Sequence, residues 1–243
     1  MSESGKTAIV TGGGKRVGEA IVRALIADGW TVVAHVHHDG DPVPDGAVKA
    51  IADLADPECA ATIFEAAEGL PPVRLLINNA ARFIEDRFGE ASADEFEAHM
   101  AVNARAPMLL IDEMARRHPG GEALVVNMLD AKLAAPNADF LSYTISKYAL
   151  AGLTELAARA LAGKGIRVNA VAPALMLPSG EQGEGNFAAV HDLNPLRRGI
   201  EVDDVIAALR FLVDSTGMTG QTLGLDGGQR FMGLARDVQF LER

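Results

Sequence analysis

Cysteine is nearly absent. Cys59 is the one thiol among 243 residues, which excludes an intrachain disulfide and a cysteine metal cluster and suits a small helix-face residue in a reducing compartment. Positive charge is also scarce: 22 Lys and Arg face 33 Asp and Glu, for a formal net charge of −11. A surface with that mean field repels phosphate, so neither nucleic acid nor an anionic membrane is an expected partner. Any anionic ligand must be held by a local basic pocket. Long apolar runs are missing as well, the best candidates being broken by Pro173 and Pro178 or by charges, short of the roughly 18 residues that span a bilayer. The opening MSESGKTAIVTGG is polar and lacks the charged and apolar regions of a secretion signal. No repeat or low-complexity tract is present, and the expectation is a globular, cytoplasmic protein with no membrane segment and no metal.

What is present is an alternation. Short β-branched runs at 7–11, 31–36, 47–52, 73–78, 123–128, 166–172 and 221–225 are separated by Ala- and Leu-rich helical patterns, the signature of a doubly wound parallel sheet. The pattern at 18–29 places Ile21, Val22, Leu25 and Ile26 on one stripe and stops at Gly29, as a helix packed on a sheet does. No linker interrupts the series. The predicted fold is therefore α/β: a single domain over residues 1–243 with a Rossmann-like, doubly wound parallel sheet of seven strands flanked by helices.

Ligands of such sheets bind outside the carboxyl ends of the strands, which selects Gly12 to Gly18, the His-rich segment 35–39, Asp53, Asn78 and Asn79, Asp130, and the loop after Ala172. In TAIVTGGGKRVGEAIVRAL a Gly-rich turn joins the first strand to a helix. There the backbone can approach a diphosphate, whose charge the helix N–H groups favour. Gly12 and Gly18 lie six residues apart, so this is not the tighter G-x-G-x-x-G fingerprint. Further on, Tyr143 and Lys147 stand at i and i+4 on one face of a helix starting near residue 140. An adjacent ammonium stabilises a phenolate, so Lys147 is expected to lower the Tyr143 pKa and make it a general acid. Asp130 ends the fifth strand, thirteen residues before Tyr143; as a turn residue it would bond its own backbone, and as a chemical group it would carry a proton.

Together TGGGKRVG (11–18), INNAA (77–81) and YTISK (143–147), with Asn103, VNAVAPA (168–174) and LDGG (225–228), resemble the short-chain dehydrogenase/reductase family over essentially the whole chain. The resemblance implies a dinucleotide held by Gly12, Lys15, Arg16, Val17, Gly18, Asp53, Asn79, Ala80, Tyr143, Lys147 and Pro173, and a catalytic set of Asn103, Tyr143 and Lys147. Asp53 is equally compatible with capping the next helix. The family's usual acid at the end of the second strand falls on Val36 and is followed by His37 and His38. Two imidazoles and the charge-assisted donor Lys15 suit a 2′-phosphate and favour NADP(H) over NAD(H), whereas Asp39 would serve the ribose of NAD. His35 is expected to be a packed strand residue.

Most members carry Ser where this chain has Asp130. Asp at that position resembles the branch of pteridine reductases and bacterial dihydromonapterin and dihydrofolate reductases. Arg16 in place of the middle glycine and Phe83, where that branch has a stacking aromatic, point the same way, and the implied substrate is a heteroaromatic pterin touching Arg16, Phe83, Asp130, Tyr143, Leu175 and Met176. Met176 also suits plain packing. Departures are the loss of a family serine in NNAARF and Ala174 for the glycine of a P-G turn. Segment 174–195 reads as a substrate loop with Gly180, Gly183 and Gly185 as hinges. The alternatives are an NADP-dependent reductase of a small carbonyl compound and a non-catalytic NADP(H) sensor, the latter having no need for Asn103, Tyr143 and Lys147. The helices around 93–117 and 142–163 match those that build family homodimers and homotetramers, and the tail 230–243 is expected to reach a neighbouring subunit.

Overall fold

The computed structural model describes residues 5–178 and 184–241. Its sheet is built from β1 (Thr7–Val10), β2 (Thr31–Val36), β3 (Val48–Ile51), β4 (Val73–Asn78), β5 (Ala123–Met128), β6 (Ile166–Pro173) and β7 (Thr222–Leu225). All pair in parallel in the order β3-β2-β1-β4-β5-β6-β7. The chain reverses its direction of winding between β1 and β4, and the crevice over those two strands is where this topology leaves room for a ligand. Every predicted strand is present, with ends within a residue or so of the expected ones.

Alternate residues of each strand feed opposite cores, as the pleat requires. Ile9, Val33, Leu76, Val125 and Val168 pack under α2 (Cys59–Glu65), α4 (Ala106–Arg117) and α5 (Leu141–Leu161). Ala8, Val32, Leu75, Ile77 and Leu124 pack under α1 (Arg16–Ala27) and α7 (Val202–Asp214). Cys59 is the buried helix-face residue expected, and its burial pushes the thiol pKa up.

Two helix boundaries differ from expectation. Helix α1 starts at Arg16 rather than Gly18, because Lys15 is already extended and the Lys15 carbonyl accepts from Glu19 N–H at 3.2 Å. It ends at Ala27, two residues before the left-handed Gly29. The helix predicted from residue 93 is α3 (Ala93–Met100), which passes through a π-helical turn, Ala101–Arg105, into α4. Of the proposed hinges, Gly180 and Gly183 lie outside the described residues. Gly185 sits inside α6 (Glu184–Val190), where helical hydrogen bonding removes hinge freedom.

Candidate active site

Four strand ends converge on the Gly-rich turn. The Thr11 hydroxyl accepts the N–H groups of Asn79 at 2.9 Å and Ala80 at 3.0 Å, while Asn79 Nδ2 donates to the Thr11 carbonyl at 2.8 Å. These bonds lock the end of β1 to the end of β4. Gly18 lies so close beneath the turn that a Cβ there would overlap the Gly12 carbonyl. His35 is packed, as expected, and also braces the turn. Its Nδ1 accepts the Gly12 N–H at 3.2 Å and its Nε2 bonds the Ala52 carbonyl at 3.0 Å. That pairing fixes the neutral Nε2–H tautomer, and burial holds the His35 pKa down.

The turn opens onto a groove of about 630 Å³ lined by Gly12, Lys15, Arg16, Val17, Gly18, His37, Asp53, Asn79 and Ala80. The α1 terminus beneath it has no side-chain cap, so its leading N–H groups remain for an anion. His37 stands 3.7 Å from Asp53 and stacks on His38 at 4.1 Å between ring centroids. His38 does not line the groove, so of this stacked pair only His37 does. Asp39 does not line it either, its carbonyl accepting from Lys49 at 2.7 Å, whereas Asp41 does. Asp53 accepts from the Ala55 N–H at 2.8 Å, a turn of its own rather than a cap, because α2 begins only at Cys59.

A second cavity of about 560 Å³ adjoins the groove and shares Lys15, Arg16, Val17 and Asn79 with it. Phe83, Asp130, Tyr143, Lys147, Pro173, Leu175 and Met176 line it. The Tyr143 hydroxyl donates to Asp130 Oδ2 at 2.8 Å, and Asp130 Oδ1 accepts the Lys132 N–H at 2.8 Å. The turn role and the chemical role of Asp130 therefore coexist, one on each oxygen. Phe83 meets Tyr143 edge-on at 4.6 Å and stacks on Phe140 at 4.3 Å, so one of its faces is already covered. Arg16, held at a positive φ of 53°, extends to the Pro178 carbonyl at 2.8 Å and bridges the Gly-rich turn to the segment after β6. Met176 both lines the cavity and packs on the core.

One electrostatic expectation fails. Lys147 does not depress the Tyr143 phenol: the pKa of Tyr143 is raised well above its ordinary value, first by burial and then by the neighbouring Asp130 carboxylate. The Lys147 ammonium is instead held 2.7 Å from the Met128 carbonyl, 5.6 Å from the Tyr143 ring centre, and burial lowers its own pKa to about 8. Burial likewise raises Asp130, against the opposing bonds from Lys132 and Tyr143. Asn103 also differs from expectation. Its amide is spent on the Arg82 backbone (2.8 and 2.9 Å) and on the Ser146 hydroxyl (2.9 Å), and it lines neither the groove nor the cavity.

A family model described as enoyl-(acyl carrier protein) reductase matches residues 14–230. The chain belongs to the short-chain dehydrogenase/reductase family. It is 34% identical to L-xylulose reductase of Mesocricetus auratus, over 93% of this chain and 96% of that one. It is 30% identical to pteridine reductase 1 of Leishmania tarentolae, over 93% and 97%. Among solved structures, FolM alternative dihydrofolate reductase 1 from Brucella suis, in complex with NADP, superposes with a TM-score of 0.86 at 33% identity, covering 95% of this chain and 97% of that one. The pteridine reductase and FolM matches support the pteridine reductase-like branch of the family.

Within this short-chain dehydrogenase/reductase framework, several site residues carry no signal in the sequence. Asp86 caps α5 from a distant loop, accepting the Ser142 N–H at 2.9 Å and the Ser142 hydroxyl. Helix α5 needs that outside cap because Phe140, at its start, is left-handed (φ 56°) and offers no side-chain acceptor. Up to Leu241 the tail folds back on its own chain: Leu234, Arg236, Asp237, Val238 and Gln239 line the second cavity. Lys132, Asp139, Arg236 and Phe240 hold it there, through pairs of residues up to 105 positions apart.

Proposed function

We propose that the protein is an NADPH-dependent reductase of a pterin-type substrate of the dihydropteridine or dihydrofolate class. The observation that carries this reading is the 2.8 Å contact between the Tyr143 hydroxyl and Asp130 in a cavity also walled by Phe83. Reduction of a C=N bond needs a proton delivered to ring nitrogen, which a carboxyl–phenol pair supplies, and the serine that most members of the family offer to a carbonyl oxygen is replaced here by Asp130. NADP(H) fits the groove residues: Lys15 and Arg16 are charge-assisted donors for phosphate, His37 adds an imidazole, and β2 ends without a ribose-binding acid at Val36. The Brucella suis structure contains NADP, which supports the same choice.

The nicotinamide supplies the hydride when bound. Tyr143 and Asp130 hold a proton between two oxygens at the cavity wall, and burial raises the Asp130 carboxyl above its ordinary value. Lys147 keeps a buried positive charge near the phenol and ties α5 to the end of β5. Phe83 and the apolar Leu175 and Met176 bracket a flat ring. Asn103 fixes the Arg82 backbone, placing it as a positioning residue for the turn that presents Phe83. On α3, α4 and α5, the exposed Phe96, Met108, Ile145, Tyr148 and Leu156 support pairing with further copies of the chain as a homodimer or homotetramer.

The 34% identity to L-xylulose reductase favours a second reading, reduction of a small carbonyl compound. NADPH oxidation assayed with dihydrobiopterin, dihydrofolate and dihydromonapterin beside L-xylulose and a ketone panel separates the two. Turnover of a pterin is expected; turnover of carbonyl compounds alone sinks the pterin assignment. Absence of turnover with every substrate, alongside tight NADPH binding, leaves the sensor reading.

A further inference from the structure

The C-terminal segment 234–241 brings a second carboxylate into the proposed substrate cavity. Asp237 lines the same wall as Asp130, with its side chain 17% exposed. The two acids share one residue between them: Lys132 gives its backbone N–H to Asp130 Oδ1 at 2.8 Å, and its ammonium, 8% exposed, lies 3.3 Å from Asp237 Oδ2. That ammonium is already committed more closely to the Asp139 carbonyl at 2.6 Å and lies 5.2 Å from the Phe140 ring centre.

The segment does not need the Asp237 carboxylate to stay in place. The Asp139 carboxylate accepts from Arg236 Nε at 2.9 Å and from the Asp237 backbone N–H at 2.8 Å. Phe240 stacks on Phe140 at 5.6 Å, and Asn186 donates to the Leu241 carbonyl at 3.1 Å. Within the strap the Asp237 carboxylate adds only bonds to Gln239 at 3.3 Å. A largely buried carboxylate with so small a part in local structure, on the wall of the cavity that Asp130 also lines, points to an electrostatic role.

We propose that Asp237 is a positioning residue for the reaction: the C-terminal strap carries its carboxylate to the cavity wall beside Lys132, where it holds Asp130 in the proton-donating form. This rests on the reading of Asp130 as proton donor. Two carboxylates in one cavity resist being ionised together, and the charge of Asp237 adds to the burial that raises Asp130. The groups facing Asp130 are Tyr143 and Lys147 from α5, Lys132 from the turn after β5, and Asp237 from the strap. Lys15, Arg16, Arg230 and Arg236 also line the cavity. Arg16 is bonded to the Pro178 carbonyl, Arg230 to Asp226 and Arg236 to Asp139, which leaves Lys132 as the counter-ion of Asp237 and Lys147 as the cation acting on Asp130.

The test is the pH profile of kcat/KM with NADPH, on whichever pterin or carbonyl substrate the full-length protein turns over. A donor must be protonated, so activity falls as pH rises through the Asp130 pKa. Asp237→Asn should move that falling limb to lower pH and Asp237→Glu should restore it. A limb that Asp237→Asn does not move, or that Asp237→Glu does not restore, overturns the proposal. Asp130→Asn should abolish the limb; if it persists there, the donor reading itself has failed, which is a different result from a limb that depends on Asp130 and ignores Asp237. Should thermal unfolding show that Asp237→Asn does not fold, Lys132→Met tests the opposite sign. Losing the counter-ion should move the limb to higher pH, and an unmoved limb overturns the proposal.

Discussion

The Lys147 ammonium donates to the Met128 carbonyl at 2.7 Å, so the helix that carries Tyr143 hangs on the last residue of the strand that delivers Asp130. The spacing of Tyr143 and Lys147 along α5 therefore serves a cross-element tie, and the phenol finds its partner in the carboxylate.

Replacing Asp130 should separate chemistry from cofactor binding. Asp130→Ala removes the proton path and leaves the groove residues untouched, so kcat should fall by roughly 100-fold or more while the NADPH dissociation constant, followed by nicotinamide fluorescence, stays within about twofold. Wild-type turnover in the variant would reduce Asp130 to its bond with the Lys132 N–H.

Lys147 predicts a pH dependence of stability. Its folded pKa of about 8 lies below the ordinary value of 10.5, so the unfolded chain binds more protons between the two and stability attributable to this group rises with pH across that window. The cost of burying the charged form is fully present below pH 8 and is of order 3 kcal/mol at most. Lys147→Met should abolish this rise, seen as the difference between wild-type and variant chemical-denaturation midpoints from about pH 7.5 to 9.5. Parallel curves for the two proteins would refute the assignment.

The nucleotide preference can be read from Lys15. Lys15→Ala takes a charge-assisted donor from the groove and should weaken NADPH binding about tenfold. NADH binding should change much less, because the lost donor is assigned to the 2′-phosphate. Equal losses for the two nucleotides would move Lys15 to the shared diphosphate.

Asp86 should matter for stability through α5. Asp86→Ala deprives the Ser142 N–H and hydroxyl of their acceptor and should cost about 1–2 kcal/mol, lowering Tm by roughly 2–8 °C. Asp86→Asn should keep part of the cap. Calorimetry of the two variants checks the order.

Gly18→Ala is expected to lose nucleotide binding while the sheet still forms, because the added Cβ overlaps the Gly12 carbonyl and displaces the turn. A titration with NADPH beside a far-ultraviolet circular dichroism spectrum distinguishes this from global unfolding.

Whatever depends on near neighbours along the chain is legible in its residues. Apolar β-branched runs buried on both faces leave little choice but parallel strands, so LLIN and LVVNM announced β4 and β5. Four-residue spacing put Tyr143 and Lys147 on one helix face, and the Gly-rich turn, the strand-end Asn79 and the acid at 130 were visible as polar residues where apolar ones should continue. Which group pairs with which is settled by the folded arrangement instead. Lys147 goes to Met128 because α5 lies across the end of β5, and Asn103 goes to Arg82 and Ser146 because the π-helical turn points it there. Asp86 reaches Ser142 across 56 residues, and Lys132 reaches Asp237 across 105. No local pattern encodes such pairs: burial and charge act through space, and a side chain's protonation and partner depend on everything the fold places around it.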